Sequence, residues 1–200
     1  MKTIPFLFLL LFVLSYCPAQ SQAAKTFTDP RDKKVYPIIF FEDIKSVGKL
    51  NFITWMAKDM NYKTASGYTV VEDKDMHNQA QGLLYTWEAA RKACPAGWHL
   101  PSEKEWQPLV DTFNGRSLKS SEGWAMGGNG ENFSGFSAYP SYYLSDEVEY
   151  PSYKWFGHWW TATSKADTLA SAFLMVFQDG DVRNQARKKT DSYSVRCIKD

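Results

Sequence analysis

The 200-residue chain has three histidines, three cysteines and no surplus of charge, with 23 Lys and Arg against 22 Asp and Glu. Without a basic excess there is no electrostatic footprint for a phosphate backbone, which excludes nucleic acid as the expected partner. His77, His99 and His158 lie far apart and form no zinc or copper motif, so no metal and no cofactor are expected. The chain lacks a Gly-x-Ser-x-Gly elbow, and no glycine loop follows a strand in the phosphate-binding manner. No apolar run reaches the roughly 18 residues of a membrane span. What is present is 44% hydrophobic and 22% charged residues, the balance of a globular domain and not of a disordered chain.

Residues 1–23 read as a secretory signal peptide. Lys2 gives the positive start, Phe6 to Leu14 is an unbroken apolar run, and Ala19-Gln20-Ser21 and Ser21-Gln22-Ala23 both fit a small-x-small cleavage site. The expectation is an exported protein (periplasm, outer surface or medium) with one mature domain, 24–200. Cys17 stands where a lipoprotein carries its lipid, but Tyr16 before it fits the lipoprotein peptidase badly, which leaves lipidation as the less favoured alternative. Cleavage near Ser21 or Ala23 is therefore the reading. Losing Lys2 leaves 22 basic against 22 acidic residues. Cys94 and Cys197 remain, and two cysteines in an exported chain read as one disulfide, two buried thiols being the alternative.

The patterning predicts strands at 35–41 and 52–57, with Pro37 at an edge or a bulge. A helix over 86–93 puts Trp87, Ala90 and Cys94 on one face, and Pro95-Ala96-Gly97 ends it. A second helix starts at Ser102 with a capping box to Glu105, and its apolar face is Trp106, Leu109, Val110 and Phe113. Pro108 inside it predicts a kink or an early stop. Residues 114–157 form an irregular region too long for an ordinary connection. Strands follow at 158–163, 172–177 and 182–187, with a hairpin turn at Asp179-Gly180. A closing strand at 192–198 would place Tyr193, Val195 and Cys197 on one face. The fold class is α+β.

Thr26-Phe27-Thr28-Asp29-Pro30-Arg31-Asp32 resembles the opening "TFTDxRDGK" of the Fibrobacter succinogenes major paralogous domain family, and the run from Thr54 to Tyr62 resembles its "TWMAENLNY". Leu84 to Ala90, Cys94 to Ser102, Glu105-Trp106, Gly135 to Ala138, Trp159 to Thr163 and Ser194 to Cys197 continue the series in order. The resemblance implies a C-type lectin-like fold: two helices on short, mostly antiparallel sheets, the chain ends on one sheet, a Cys94–Cys197 bridge, and a long loop region carrying binding sites. The pattern departs after Ala138, where "LPGGYR" is replaced by Tyr139-Pro140-Ser141-Tyr142-Tyr143-Leu144, followed by Asp146-Glu147-Val148-Glu149-Tyr150.

Planar rings stack on sugars or anchor protein partners. Tyr142, Tyr143, Tyr150 and Trp124 are therefore the candidate ligand-binding residues, while Trp155, Phe156, Trp159 and Trp160 are expected to pack inward. The calcium triplets of sugar-binding lectins are absent, and Asp146, Glu147 and Glu149, like Asp179 and Asp181, read as solvated carboxylates. The redox thiols of formylglycine-generating enzymes would need further cysteines. The functional expectation is a non-catalytic exported module binding a glycan or a cell-surface protein through residues 114–157. The alternatives are a structural component of an envelope assembly and, less favoured, an oxidoreductase of the formylglycine-generating type.

Overall fold

The computed structural model describes residues 25–42, 52–70, 82–141 and 154–200; the signal-peptide reading of residues 1–23 lies outside them. Where it is described, the chain is α+β, with antiparallel sheets and few helices. The β-branched and aromatic run at the start makes β2 (Val35–Glu42), which pairs with β1 (Thr26–Thr28) and β3 (Phe52–Met56). A five-stranded sheet in the order β1-β2-β3-β10-β6 is completed by β6 (Trp98–His99) and β10 (Ile198–Lys199). Strands β4 (Tyr68–Thr69) and β5 (Leu84–Tyr85) form a small ladder. A three-stranded sheet follows from β7 (Phe156–Ser164), β8 (Leu169–Val176) and β9 (Val182–Lys188). Pro37 sits where β2 is handed from β1 to β3: its carbonyl accepts from Ala57 N–H at 2.7 Å, and the next residue, Ile38, donates to Lys25 O at 2.9 Å.

Two hydrophobic cores flank this framework, and period-two alternation assigns residues to them. Met56, Trp160, Tyr193, Val195 and Cys197 enter the first core, with Tyr36, Tyr85, Trp87 and Trp98. Their sequence neighbours Trp55, Trp159 and Ile198 enter the second, with Trp106, Phe136 and Phe173. Trp159 and Trp160 are adjacent and both fully buried because β7 is covered on both faces. In the second core Trp106 stacks on Phe173 with ring centroids 4.9 Å apart and meets Trp55 edge-on at 5.0 Å. Trp155, expected to pack inward, is half exposed, although its ring lies 5.5 Å from Phe177.

Helix α1 (Trp87–Ala90) is shorter than expected. Lys92 and Ala93 donate three residues back, to Ala89 O and Ala90 O, so the last turn tightens ahead of Pro95. This delivers Cys94 to Cys197, and the two are bonded, with Cα atoms 5.9 Å apart across a separation of 103 residues. Helix α2 (Glu103–Thr112) carries the full capping box: Ser102 accepts from Glu105 N–H, and the Glu105 carboxylate accepts from Ser102 N–H. Pro108 does not stop it, since the helix runs on to Thr112. The hydrogen bond it cannot make is the one to the carbonyl of Lys104, an exposed residue.

The segment 192–198 is not a regular strand. Tyr193 exchanges hydrogen bonds with Tyr85 at 3.0 and 2.8 Å, Ser194 O accepts from Trp160 N–H at 3.0 Å, Val195 O from Met60 N–H at 2.8 Å, and Cys197 O from Met56 N–H at 3.0 Å. Threaded between elements on both sides, it spreads its backbone bonds over several partners and forms no single ladder.

Candidate functional site

The sheet and helix α2 part at one edge. Phe40, Phe41, Glu42, Ile53 and Trp55 from β2 and β3 face Glu105, Pro108, Leu109, Thr112 and Phe113 from α2 across a groove of about 300 Å³. It arises because the run Ile38-Ile39-Phe40-Phe41 is apolar at every position. A strand turns alternate residues to opposite faces, so both faces of β2 are apolar and one helix cannot cover both. Phe41 packs on Phe113 with centroids 5.4 Å apart, while Phe40 is 43% exposed. Trp55, 1% exposed, belongs to the core and forms the floor.

The rim is acidic. Burial raises the Glu105 carboxyl, but hydrogen bonds from the Ser102 hydroxyl and N–H and from His99 outweigh it and hold it below the ordinary range. His99 lies between two carboxylates, Nε2 at 2.9 Å from Glu105 and Nδ1 at 2.6 Å from Asp200. Burial lowers its pKa, but the two acceptors raise it further, so the net shift is upward. With both ring nitrogens engaged, His99 is a strut joining β6, α2 and the residue after β10. The Thr112 hydroxyl donates to Pro108 O at 2.8 Å. The groove therefore offers apolar walls, carboxylate acceptors and a strand edge, chemistry suited to an apolar segment bearing a cation.

Of the expected ligand-binding residues, only Trp124 is among those described. Trp124 is 5% exposed and donates its indole N–H to Ala138 O at 3.0 Å, so it packs in the second core and offers no face to a ligand. Tyr142, Tyr143 and Tyr150, like Asp146, Glu147 and Glu149, lie outside the described residues. The earlier part of the long region is built inward: helix α3 (Gly115–Leu118) is capped by Asn114, and Phe136 and Ala138 are fully buried. Asp179 and Asp181 both face Arg183, at 2.5 and 3.4 Å. Among the described residues no group of three or more His, Cys, Asp or Glu is placed to hold a metal ion, and no helix is long and apolar enough to cross a membrane.

Several charged side chains are internal, Asp29, Asp59, Lys119 and Arg196 among them. Arg196 and Asp59, 0% exposed, are joined by Nε–Oδ1 and Nη2–Oδ1 contacts of 2.7 and 2.6 Å. Trp159 Nε1 donates to the same carboxylate oxygen at 3.0 Å, and the guanidinium also donates to Phe136 O and lies 4.2 Å from the Phe136 ring. Burial pushes the Asp59 carboxyl up against the pull of Arg196. Lys119, 2% exposed, donates to the carbonyls of Val176, Phe177 and Asp179 at 3.0–3.2 Å, tying α3 to the β8–β9 turn. Arg31 joins Asp29 at 2.7 Å, reaches Ala93 O at 2.8 Å and lies 3.6 Å over the Tyr62 ring. His158 is buried and stacked on Tyr193 at 4.6 Å, and burial pushes its pKa down to about 3.

The groove itself went unread in the sequence, although four consecutive apolar residues in a strand were its signal. Compared with known proteins, residues 48–199 match the family model described as the Fibrobacter succinogenes major domain. No curated protein and no solved structure matches the chain.

Proposed function

We propose, from the premise that this chain belongs to the Fibrobacter succinogenes major domain family, that it is an exported, non-catalytic binding module of the C-type lectin-like fold. The fold reading is supported by the sharing of one sheet between β1 and β10, and by the bridge from the end of α1 to the segment before β10. The binding reading is carried by one observation. Most of the tryptophans and tyrosines in the family-like motifs build the interior, while the groove between α2 and β2 keeps apolar walls open at the surface. Its lining is rich in rings and poor in hydrogen-bond donors, which favours a protein segment over a sugar.

The test sets a displayed library of random peptides beside a glycan array, with calcium and with EDTA. Selected peptides should be apolar and basic, and Phe113→Ala should weaken their binding about tenfold or more, as loss of a central anchor does. Peptide binding indifferent to Phe113→Ala would overturn the groove reading. A second reading keeps the contact on the long region, where Met126 and Phe133 are 83% and 79% exposed. Glycan binding lost with Tyr142→Ala or Tyr143→Ala would favour it.

A further inference from the structure

Among the described residues, the outer edge of strand β2 is paired along only part of its length. Ile38 N–H donates to Lys25 O, and Pro37 O accepts from Ala57 on the opposite side, so even-numbered residues of β2 turn their backbone groups away from β3. β1 uses that outer edge only alongside Val35–Pro37, with Lys25 adding the last bond at Ile38. Beyond it, the outward N–H and C=O of Phe40 and the outward N–H of Glu42 have no backbone partner among the described residues. An apolar, unpaired strand edge is a template for another strand. The groove takes in both Phe40 and Phe41, neighbours on opposite faces, and so opens over this same edge.

We propose that a second copy of this chain occupies it, the two β2 strands pairing antiparallel about a two-fold axis through Phe41. The proposal rests on the groove being a contact surface and names its occupant. The register follows from backbone parity and charge. Centring on Phe41 makes Phe40 and Glu42 of the second copy a hydrogen-bonded pair, and Phe41 a close, non-hydrogen-bonded pair with itself. The Lys25 ammonium lies 4.6 Å over the Phe40 ring, on the face where Glu42 of the second copy would arrive. Each copy therefore meets an exposed carboxylate with a cation, twice by symmetry, and the two grooves join beneath two α2 helices. The pairing is isologous and closes on itself, which uses up the edge instead of propagating it. With nearly balanced total charge the copies do not repel one another.

The experiment is sedimentation velocity of the disulfide-bonded protein over a wide concentration range. A reversible dimer is expected. Glu42→Lys should raise its dissociation constant about tenfold or more by setting Lys against Lys25, and adding Lys25→Glu should restore it. Phe40→Pro removes an outward N–H and should abolish the dimer. Phe41→Cys should give a disulfide-linked dimer on a non-reducing gel, since this register brings position 41 against itself. Circular dichroism verifies that each variant is folded, and the charge swap decides the matter if Phe40→Pro does not fold. A protein that stays monomeric throughout, or a dimer unmoved by Glu42→Lys, overturns the pairing. Peptide binding that still depends on Phe113 in such a monomer would leave the groove reading standing.

Discussion

At the scale of single residues, the most consequential pair is Asp59 and Arg196, 137 positions apart and both buried. A buried ion pair adds little net stability, because removing both charges from water offsets their attraction, but breaking one half leaves a naked charge inside. Here Arg196 also satisfies the Phe136 and Ser137 carbonyls, so its loss strands several groups at once. Arg196→Met should cost about 3–5 kcal/mol, measured by urea denaturation. Combining it with Asp59→Asn should cost less than the two single changes summed, since the second change removes the charge that the first one orphans. Strict additivity would show that the two side chains do not act as a pair.

At the scale of elements, His99 is the fastener, and its chemistry makes it pH-dependent. It links β6 to the start of α2 through Glu105 and to the residue after β10 through Asp200. Its folded-state pKa is raised, so the stabilisation is fully present below the unfolded value of about 6.5 and is lost as pH rises through the higher folded value. The difference in melting temperature between the natural protein and His99→Asn should therefore be largest near pH 6 and shrink at alkaline pH. A difference that stays constant would mean that His99 acts by packing alone. The separate elements were largely legible: β2, β3, β7, β8 and the α2 capping box each follow from local rules of alternation, turn chemistry and capping. What joins them was not. The groove needs β2 and α2 in register, and the Asp59–Arg196 pair needs the closing segment threaded between two cores. Neither leaves a periodic trace. Trp124 is buried for the same reason: its neighbours suggest a surface loop, whereas contacts distant in sequence draw it inside.

At the scale of the molecule, the Cys94–Cys197 bridge joins the end of α1 to the segment that both cores share. Its largest effect is on the unfolded chain, where it closes a loop of 103 residues, worth roughly 4–5 kcal/mol in the chain-entropy account. The native ends do not depend on it for position. Arg31 holds the carbonyls of Ala93 and Cys94 from one side, and Met56 N–H and the Asp59–Arg196 pair hold the closing segment from the other. The double variant Cys94→Ala, Cys197→Ala should therefore fold to a native-like state with cooperative unfolding and a lower urea midpoint. Its denaturant slope should rise, because an unfolded chain without the crosslink exposes more surface. A lower midpoint with an unchanged slope would place the loss in the native state, in the packing around Cys197. A higher slope with the same native spectrum would place it in the unfolded ensemble, where the loop argument puts it.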